Sequence, residues 1–397
     1  MTDAGASPAG EIVYNPFSPE VKVNPYPVYR RLREHDPLHF NKYAGMWFLT
    51  RHRDCAAILR DARFSAALGQ DVRRRGERLP PSMLNTDPPD HARLRDPFMP
   101  LFANRVLQQL RPRIQAIVDD LLTQPVDQGA MEVIGEFAGP LAARVLAAKL
   151  DVPAADLDQF HAWARQSAVI LDPLAPPQAQ QAGIPAAIAL QRYFAERAAA
   201  PQPDPAGFLA RLLAVADQPE TITRDEVLNA CTLIVIGGYE PLVHLIGNGL
   251  LVLHNHPAER ARLREDPALI KSAVEELLRY ESPIQFTARV AREDVDLDGR
   301  RIRGGQTVVA LFGAANRDPA VFADPDRLDL GRAPNPHLGF GAGPHFCLGA
   351  PLVRLGAEVA LGTLVQRFPH LRLTAETPQW RNSTIPRGLE ALPVALA

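Results

Sequence analysis

Residues 340–349 read Phe-Gly-Ala-Gly-Pro-His-Phe-Cys-Leu-Gly and hold the chain's most chemically suggestive cysteine, Cys347. Glycines let a backbone approach a flat partner and take conformations closed to other residues. The apolar spacing from Leu348 to Phe368 predicts a helix, so Cys347 stands at a helix start. Backbone N–H groups there favour a thiolate, and a thiolate is a strong axial ligand for haem iron. A cysteine taken alone is more often a small buried core residue, and Cys55 and Cys231 are expected to be that. Three cysteines far apart in sequence build no disulfide framework, which suits a reducing compartment.

Two further groups could do chemistry. A long apolar helix is predicted over Thr223–His254, opened by Thr223 with Glu226 three residues on, a capping-box pattern. Midway along it stand Gly237, Gly238, Tyr239, Glu240 and Pro241. Proline there has no N–H, frees the Gly237 carbonyl and crowds it, so a kink is expected. On the helix predicted over Pro267–Tyr280, Glu276 and Arg279 are three residues apart; alone they would be an ordinary exposed pair.

The elements that must position these groups are mostly helical. The chain has 397 residues, of which 46% are hydrophobic, enough for a sizeable core. With 43 Lys+Arg against 45 Asp+Glu the net charge is −2, giving no reason to expect nucleic acid or an anionic membrane as partner. No targeting segment is visible and no run approaches about 20 apolar residues, so a cytoplasmic protein with no membrane span is expected. The first dozen residues should fray. The 38 prolines are roughly twice the usual share; most fall in connections such as 172–177 and 201–205. Helices are predicted over Asn24–Glu34, Asp54–Asp61, Asn104–Leu122, Met131–Leu150, Leu157–Leu171 and an Ala- and Gln-rich stretch to about Ala200. A hairpin broken at Ala44-Gly45 is predicted within 37–51, a long loop over Phe64–Asp90, short strands within 295–318, and mixed strand and loop from Leu371 to Val394. This is a mainly α chain with small β-sheets, read as a single domain over 1–397.

The segment FGAGPHFCLG resembles the haem-binding loop of cytochrome P450, the haem-thiolate monooxygenases. Glu276-Leu277-Leu278-Arg279 matches that family's Glu-x-x-Arg motif. Ala314-Ala315-Asn316-Arg317-Asp318-Pro319 and Asp324-Pro325-Asp326-Arg327 match the stretch before the haem loop, and Asp87 to Arg95 matches the entry to the C helix. These motifs stand in the family's order and spacing. The resemblance implies the cytochrome P450 fold of the soluble bacterial class and a haem b whose iron is bound through Cys347, with Phe340 shielding the sulfur. His91, Arg95, Arg289 and His345 would hold the haem propionates. Glu276 and Arg279 would form a buried network with Arg327. The helix Thr223–His254 resembles the I helix, with Val243 to Asn248 fixing its register. The family usually has threonine where this chain has Pro241. The resemblance therefore implies catalytic roles for Gly237, Gly238 and Glu240 and a departure at Pro241, since that threonine's hydroxyl helps deliver protons.

Substrate contacts implied by the resemblance are Leu233, Ile236, Ile284, Gln285, Phe286, Thr287, Thr384 and Ile385, with Gln285 and Thr287 offering hydrogen bonds; Tyr239 points either into the pocket or into the core. Arg73, Arg74, Arg75 and Arg78 read as a solvated loop, with a substrate carboxylate as the alternative partner. The implied activity is dioxygen activation with two electrons from a ferredoxin and its ferredoxin reductase, docking near Cys347 where Arg95, Arg354 and the neighbourhood of Arg279 gather. Hydroxylation of a natural-product small molecule leads; oxidative coupling or ring closure, peroxide-driven oxygenation and a non-enzymatic haem sensor are the alternatives.

Overall fold

Apolar residues at helical spacing over most of the chain are buried together in one large cluster, and the helix that carries most of them lies at its centre. The computed structural model describes residues 12–16, 18–67, 81–172, 175–201, 204–218, 220–375, 377–383 and 385–396. The central helix is Arg224–Asn255, with the Thr223–Glu226 capping box formed. Helices Gly139–Lys149, Leu157–Ser167, Pro177–Ala199, Ile270–Tyr280 and Ala350–Arg367 pack against it. Among the described residues it is the one helix long and apolar enough to cross a membrane, yet 72% of its apolar window is buried, as a core helix requires.

Several predicted helices are shorter or divided. Asn104–Leu122 splits into Asn104–Leu107, a 3-10 turn and Arg111–Leu121. Pro112 has no N–H to give a preceding turn, so it begins a helix rather than continuing one. The stretch from Met131 begins as a strand, Ala130–Glu132, because it pairs with the distant Pro393–Ala395. The Glu132 carboxylate then accepts from the N–H groups of Ile134 and Gly135, turning the chain into Val133–Ala138 and the helix after it. Pro241 does not interrupt the central helix; neighbouring helices bury every residue from Leu242 to Leu253 and hold its path.

The main sheet has the spatial order Leu38–Asn41, Met46–Leu49, Thr307–Leu311, Phe286–Ala291, Phe64–Ser65. The first two strands are the expected hairpin, turned by Gly45 at φ +64°. Met46–Leu49 and Thr307–Leu311 run parallel; the other neighbours are antiparallel. The sequence assigned no element to Phe286–Ala291, which owes its strand form to partners on both sides. Residues 1–11 and 68–80, expected to be a frayed start and part of a long loop, lie outside the described residues.

Candidate functional site

The Cys347 loop is folded by its glycines. Gly341 and Gly343 have φ of +72° and +70°, a region other residues avoid. A side chain at Gly343 would also strike the Leu59 carbonyl. The Cys347 N–H donates to the Phe340 carbonyl at 3.0 Å, closing the loop on itself, and the helix Ala350–Arg367 starts three residues beyond the cysteine. Burial pushes the Cys347 thiol up, while the N–H groups of Gly349 and Ala350 and the guanidiniums of Arg95 and Arg354 pull it down. Arg354 lies over the Phe340 ring, 4.6 Å from its centre. Glu275 holds that guanidinium through bonds of 2.6 and 2.8 Å and also meets His337 Nε2 at 3.1 Å.

Beside this loop four cationic or basic side chains converge from three elements, His91 and Arg95 sharing one helix. His91 comes from the helix Asp90–Arg95, Arg289 from the strand Phe286–Ala291, and His345 from the loop itself; Arg95 donates to the Phe346 carbonyl at 2.6 Å. The His91 and His345 rings have centres 4.1 Å apart, and the buried Nε2 atom of each lacks a hydrogen-bond partner. Burial, then His91, Arg289 and Arg95, push His345 down to about 4. Burial and Arg95 likewise lower His91. The nearby carboxylate, Asp87, is engaged by Ser65, Ala66 and Arg292. Donors gathered at such electrostatic cost, with orphaned ring nitrogens, fit a ligand that brings its own carboxylates. Haem propionates match that description.

Glu276 and Arg279 are fully buried and joined by two bonds, Nε at 2.7 Å and Nη2 at 2.8 Å. The expected third partner is corrected. Arg327 is exposed and contributes its backbone carbonyl, which accepts from Arg279 Nη2 at 3.2 Å. The guanidinium that reaches Glu276 is Arg332's, with Nε at 3.1 Å. The carbonyls of Asp324, Pro325 and Arg327 face the guanidiniums of Arg279 and Arg332, while the Arg327 side chain stays exposed. Because Arg279 is buried in this network, it offers no charge to a partner at the surface.

From Ala230 to Leu253 on the central helix, the residues that are not buried are Leu233, Ile234, Gly237, Gly238 and Pro241. Spacings of three and four put them on one face. This open stripe contains three of the four positions expected at the centre, Gly237, Gly238 and Pro241, together with Leu233; the fourth, Glu240, is buried. Ile234 was not singled out in the sequence, and Ile236 instead packs in the core. The two glycines differ. A Cβ at Gly238 would stand 2.9 Å from Leu146 Cδ2, so this glycine lets the helix Gly139–Lys149 approach. At Gly237 the added atom would meet only Leu171 Cδ1, at an ordinary 3.5 Å. Tyr239 turns away from the stripe, its hydroxyl 3.0 Å from His161 Nε2.

Glu240 is buried, and its carboxylate accepts from Arg381 Nη1 at 2.6 Å. The same nitrogen lies 2.7 Å from His244 Nε2. Neither partner was singled out in the sequence; Arg381 stands in the irregular C-terminal tail, with no local pattern to mark it. Burial raises the Glu240 carboxyl while Arg381 opposes the shift.

The expected substrate residues divide. Thr287 shares the Arg289 face of its strand, and Arg289 Nη1 stands 3.4 Å from its hydroxyl. Phe286 and Ile385 pack in the cluster of Tyr29, Leu32 and Leu311, and Ile284 against that of Leu49 and Ala310. Gln285, expected to offer hydrogen bonds, is buried and fills the room left by Gly313; its amide N–H donates to the Ser282 carbonyl at 2.7 Å and its Oε1 has no hydrogen-bond partner. Thr384, Arg73, Arg74, Arg75 and Arg78 lie outside the described residues.

Residues 186–385 match the family model described as cytochrome P450. The chain is 40% identical over 388 residues to a biotin biosynthesis cytochrome P450 of Bacillus subtilis, covering 95% of this chain and 97% of that one. It is 35% identical over 396 residues to a 6-deoxyerythronolide B hydroxylase of Saccharopolyspora erythraea, covering 94% and 96%. The solved structure of CalO2 superposes with a TM-score of 0.90 at 34% identity, covering 98% of this chain and 99% of that chain. The cysteine loop, the buried Glu-x-x-Arg pair and the long central helix thus occur in a chain that, by sequence and by fold, belongs to the cytochrome P450 family of haem-dependent monooxygenases.

Proposed function

We propose that this chain, acting as one domain, hydroxylates a largely apolar natural-product molecule, with haem held by Cys347 and the molecule seated against the open stripe of the central helix. Haem supplies dioxygen activation once it receives two electrons; a ferredoxin with its reductase is the donor we assign, in the cytoplasm. The observation that carries the reading is the pairing of a glycine-folded cysteine loop with a nearby cluster of basic side chains, in which the buried Nε2 atoms of His91 and His345 lack a hydrogen-bond partner. His91, Arg95, Arg289 and His345 would bind the propionates, and Arg354 and Phe340 would cover the proximal side of the sulfur. Leu233, Ile234, Gly237 and Pro241 would line the distal side with apolar surface, and Gly237 leaves room for a bulky molecule close by. Pro241 donates no proton, so Glu240 is the acid of this helix segment. Relatives support the substrate class: their names include a 6-deoxyerythronolide B hydroxylase, a polyketide biosynthesis P450 and a vitamin D(3) 25-hydroxylase.

The axial ligand is tested by the reduced carbonyl complex, whose Soret band should stand at the red-shifted thiolate position. Retention of that band in Cys347→Ser would overturn the assignment. A screen of polyketide, steroid and fatty-acid molecules for displacement of the iron-bound water, followed by product analysis, tests the reaction. Binding molecules that emerge coupled rather than hydroxylated would refute it.

A further inference from the structure

Glu240, His244 and Asn248 follow one another at four-residue spacing on the central helix, and all three meet the C-terminal segment 381–388. Arg381 is fixed at its own backbone by a bond to the Gly388 carbonyl at 2.9 Å. Its Nη1 carries two hydrogens; one points to Glu240 Oε1 at 2.6 Å and the other to His244 Nε2 at 2.7 Å. His244 is 1% exposed, and burial, followed by Arg381, pushes it down to about 3, so the ring is neutral. With Nε2 accepting, the ring proton is on Nδ1, which has no partner. It faces the backbone of Gly388, where a side chain would collide with the ring. A neutral apolar residue would avoid stranding that N–H, so the histidine is retained for the acceptor it presents to Arg381.

We propose that Arg381 is the positioning residue for Glu240 and that His244 is its second anchor, allowing Glu240 to gain and lose a proton while the guanidinium stays in place. When Glu240 is protonated its pull on Arg381 falls, but the bond to His244 Nε2 remains. When the proton leaves toward the open stripe, the carboxylate regains its full ion pair. Water at the edge of Arg381, whose side chain is 32% exposed, returns the proton. The other charged group facing Glu240 is Asp172, from the segment before Pro177–Ala199; its carboxylate accepts from Ser383 Oγ at 2.8 Å and disfavours a charged Glu240. This inference rests on the monooxygenase reading, in which Glu240 supplies protons.

Infrared titration of the haem-loaded protein reads the pair without turnover. The C=O stretch of protonated Glu240 is identified by its absence in Glu240→Gln. In Arg381→Gln that band should persist to a pH higher by about one unit or more, and Arg381→Lys should restore most of the difference. His244→Gln keeps an acceptor and should resemble the wild type; His244→Leu leaves Arg381 wholly on Glu240 and should move the band to lower pH. An unmoved band in Arg381→Gln, or identical titrations in His244→Gln and His244→Leu, would overturn the proposal. The carbonyl spectrum of each variant separates the outcomes: a thiolate band with an unmoved carboxyl refutes this inference alone, whereas its loss from the wild type refutes the monooxygenase reading.

Discussion

Replacing Glu276 by Gln removes the charge against which Arg279 and Arg332 are seated and keeps nearly the same volume. In the native chain the Glu276 carboxylate accepts from Arg279 Nε and Nη2, Arg332 Nε, Asn335 Nδ2 and the Asp329 N–H. Arg279 has no water to fall back on, since its side chain is fully buried. Its remaining bonds run to neutral carbonyls of Asn316, Pro325 and Arg327. Breaking a buried pair from one side costs about 3–5 kcal/mol, because the stranded cation stays desolvated. At 1.4 kcal/mol per decade, that is roughly two to three and a half decades in the ratio of folded to unfolded chain. Arg332→Ala should cost less, about 1–3 kcal/mol, as the lost partner is the less buried one. Arg327→Ala should fall within about 0.5 kcal/mol of the native protein, since only its carbonyl is used and the substitution keeps it. Urea unfolding midpoints of the apoprotein and of the haem-loaded protein measure all three. A Glu276→Gln protein weakened by less than about 1 kcal/mol would refute the reasoning, and so would an Arg327→Ala protein as weak as Arg332→Ala. Glu276→Gln/Arg279→Met should be more stable than Glu276→Gln alone, because the double change removes the stranded charge.

The two mid-helix glycines should respond oppositely to alanine. Gly238→Ala drives a methyl into Leu146 and should cost about 1–3 kcal/mol, whereas Gly237→Ala meets only ordinary contact and should stabilise by about 0.5–1 kcal/mol; thermal unfolding decides, and equal effects would show that Leu146 yields freely. Glu226 is held down at about 2, against an ordinary 4.5, chiefly by the hydrogen bonds from Arg93, both at 2.8 Å. Its contribution is therefore full above pH 4.5 and lost as the pH falls toward 2. In Arg93→Met the urea midpoint should decline less steeply across that window, and unchanged steepness would remove the pair from the acid response. Loss of a charge-assisted donor in Arg289→Leu should weaken haem retention by about 1.5–3 kcal/mol, a roughly ten- to hundredfold faster transfer to an apoprotein acceptor; native transfer rates would remove Arg289 from the propionate set. Pro241→Thr should alter the fraction of reducing equivalents released as hydrogen peroxide during ferredoxin-driven turnover, and an unchanged fraction would show that the missing hydroxyl is immaterial.

Much of the fold was legible because its signals are local. The capping box at Thr223 and the turn at Gly45 each act over a few neighbours and appear where the sequence places them, as does the central helix. The cysteine loop was legible for the same reason, since its glycines, His345 and Cys347 lie within one short segment. Illegible features depended on distant partners. Phe286–Ala291 becomes a strand between Thr307–Leu311 and Phe64–Ser65. Ala130–Glu132 leaves its helical surroundings to pair with Pro393–Ala395.

By itself, then, the amino-acid sequence determined the family, the mainly helical architecture, the cysteine loop and the unusual proline in the central helix. All are written in short-range spacing and residue type. The tertiary structure alone decided which guanidinium completes the Glu276 pair, which face of the central helix stays open, and that Glu240 meets Arg381, which it shares with His244, rather than standing free. Such choices depend on which buried groups find hydrogen-bond partners once the chain is folded. Arg327 and Arg332 carry the same charge five residues apart, and only the path of the chain between them turns one inward and leaves the other in water.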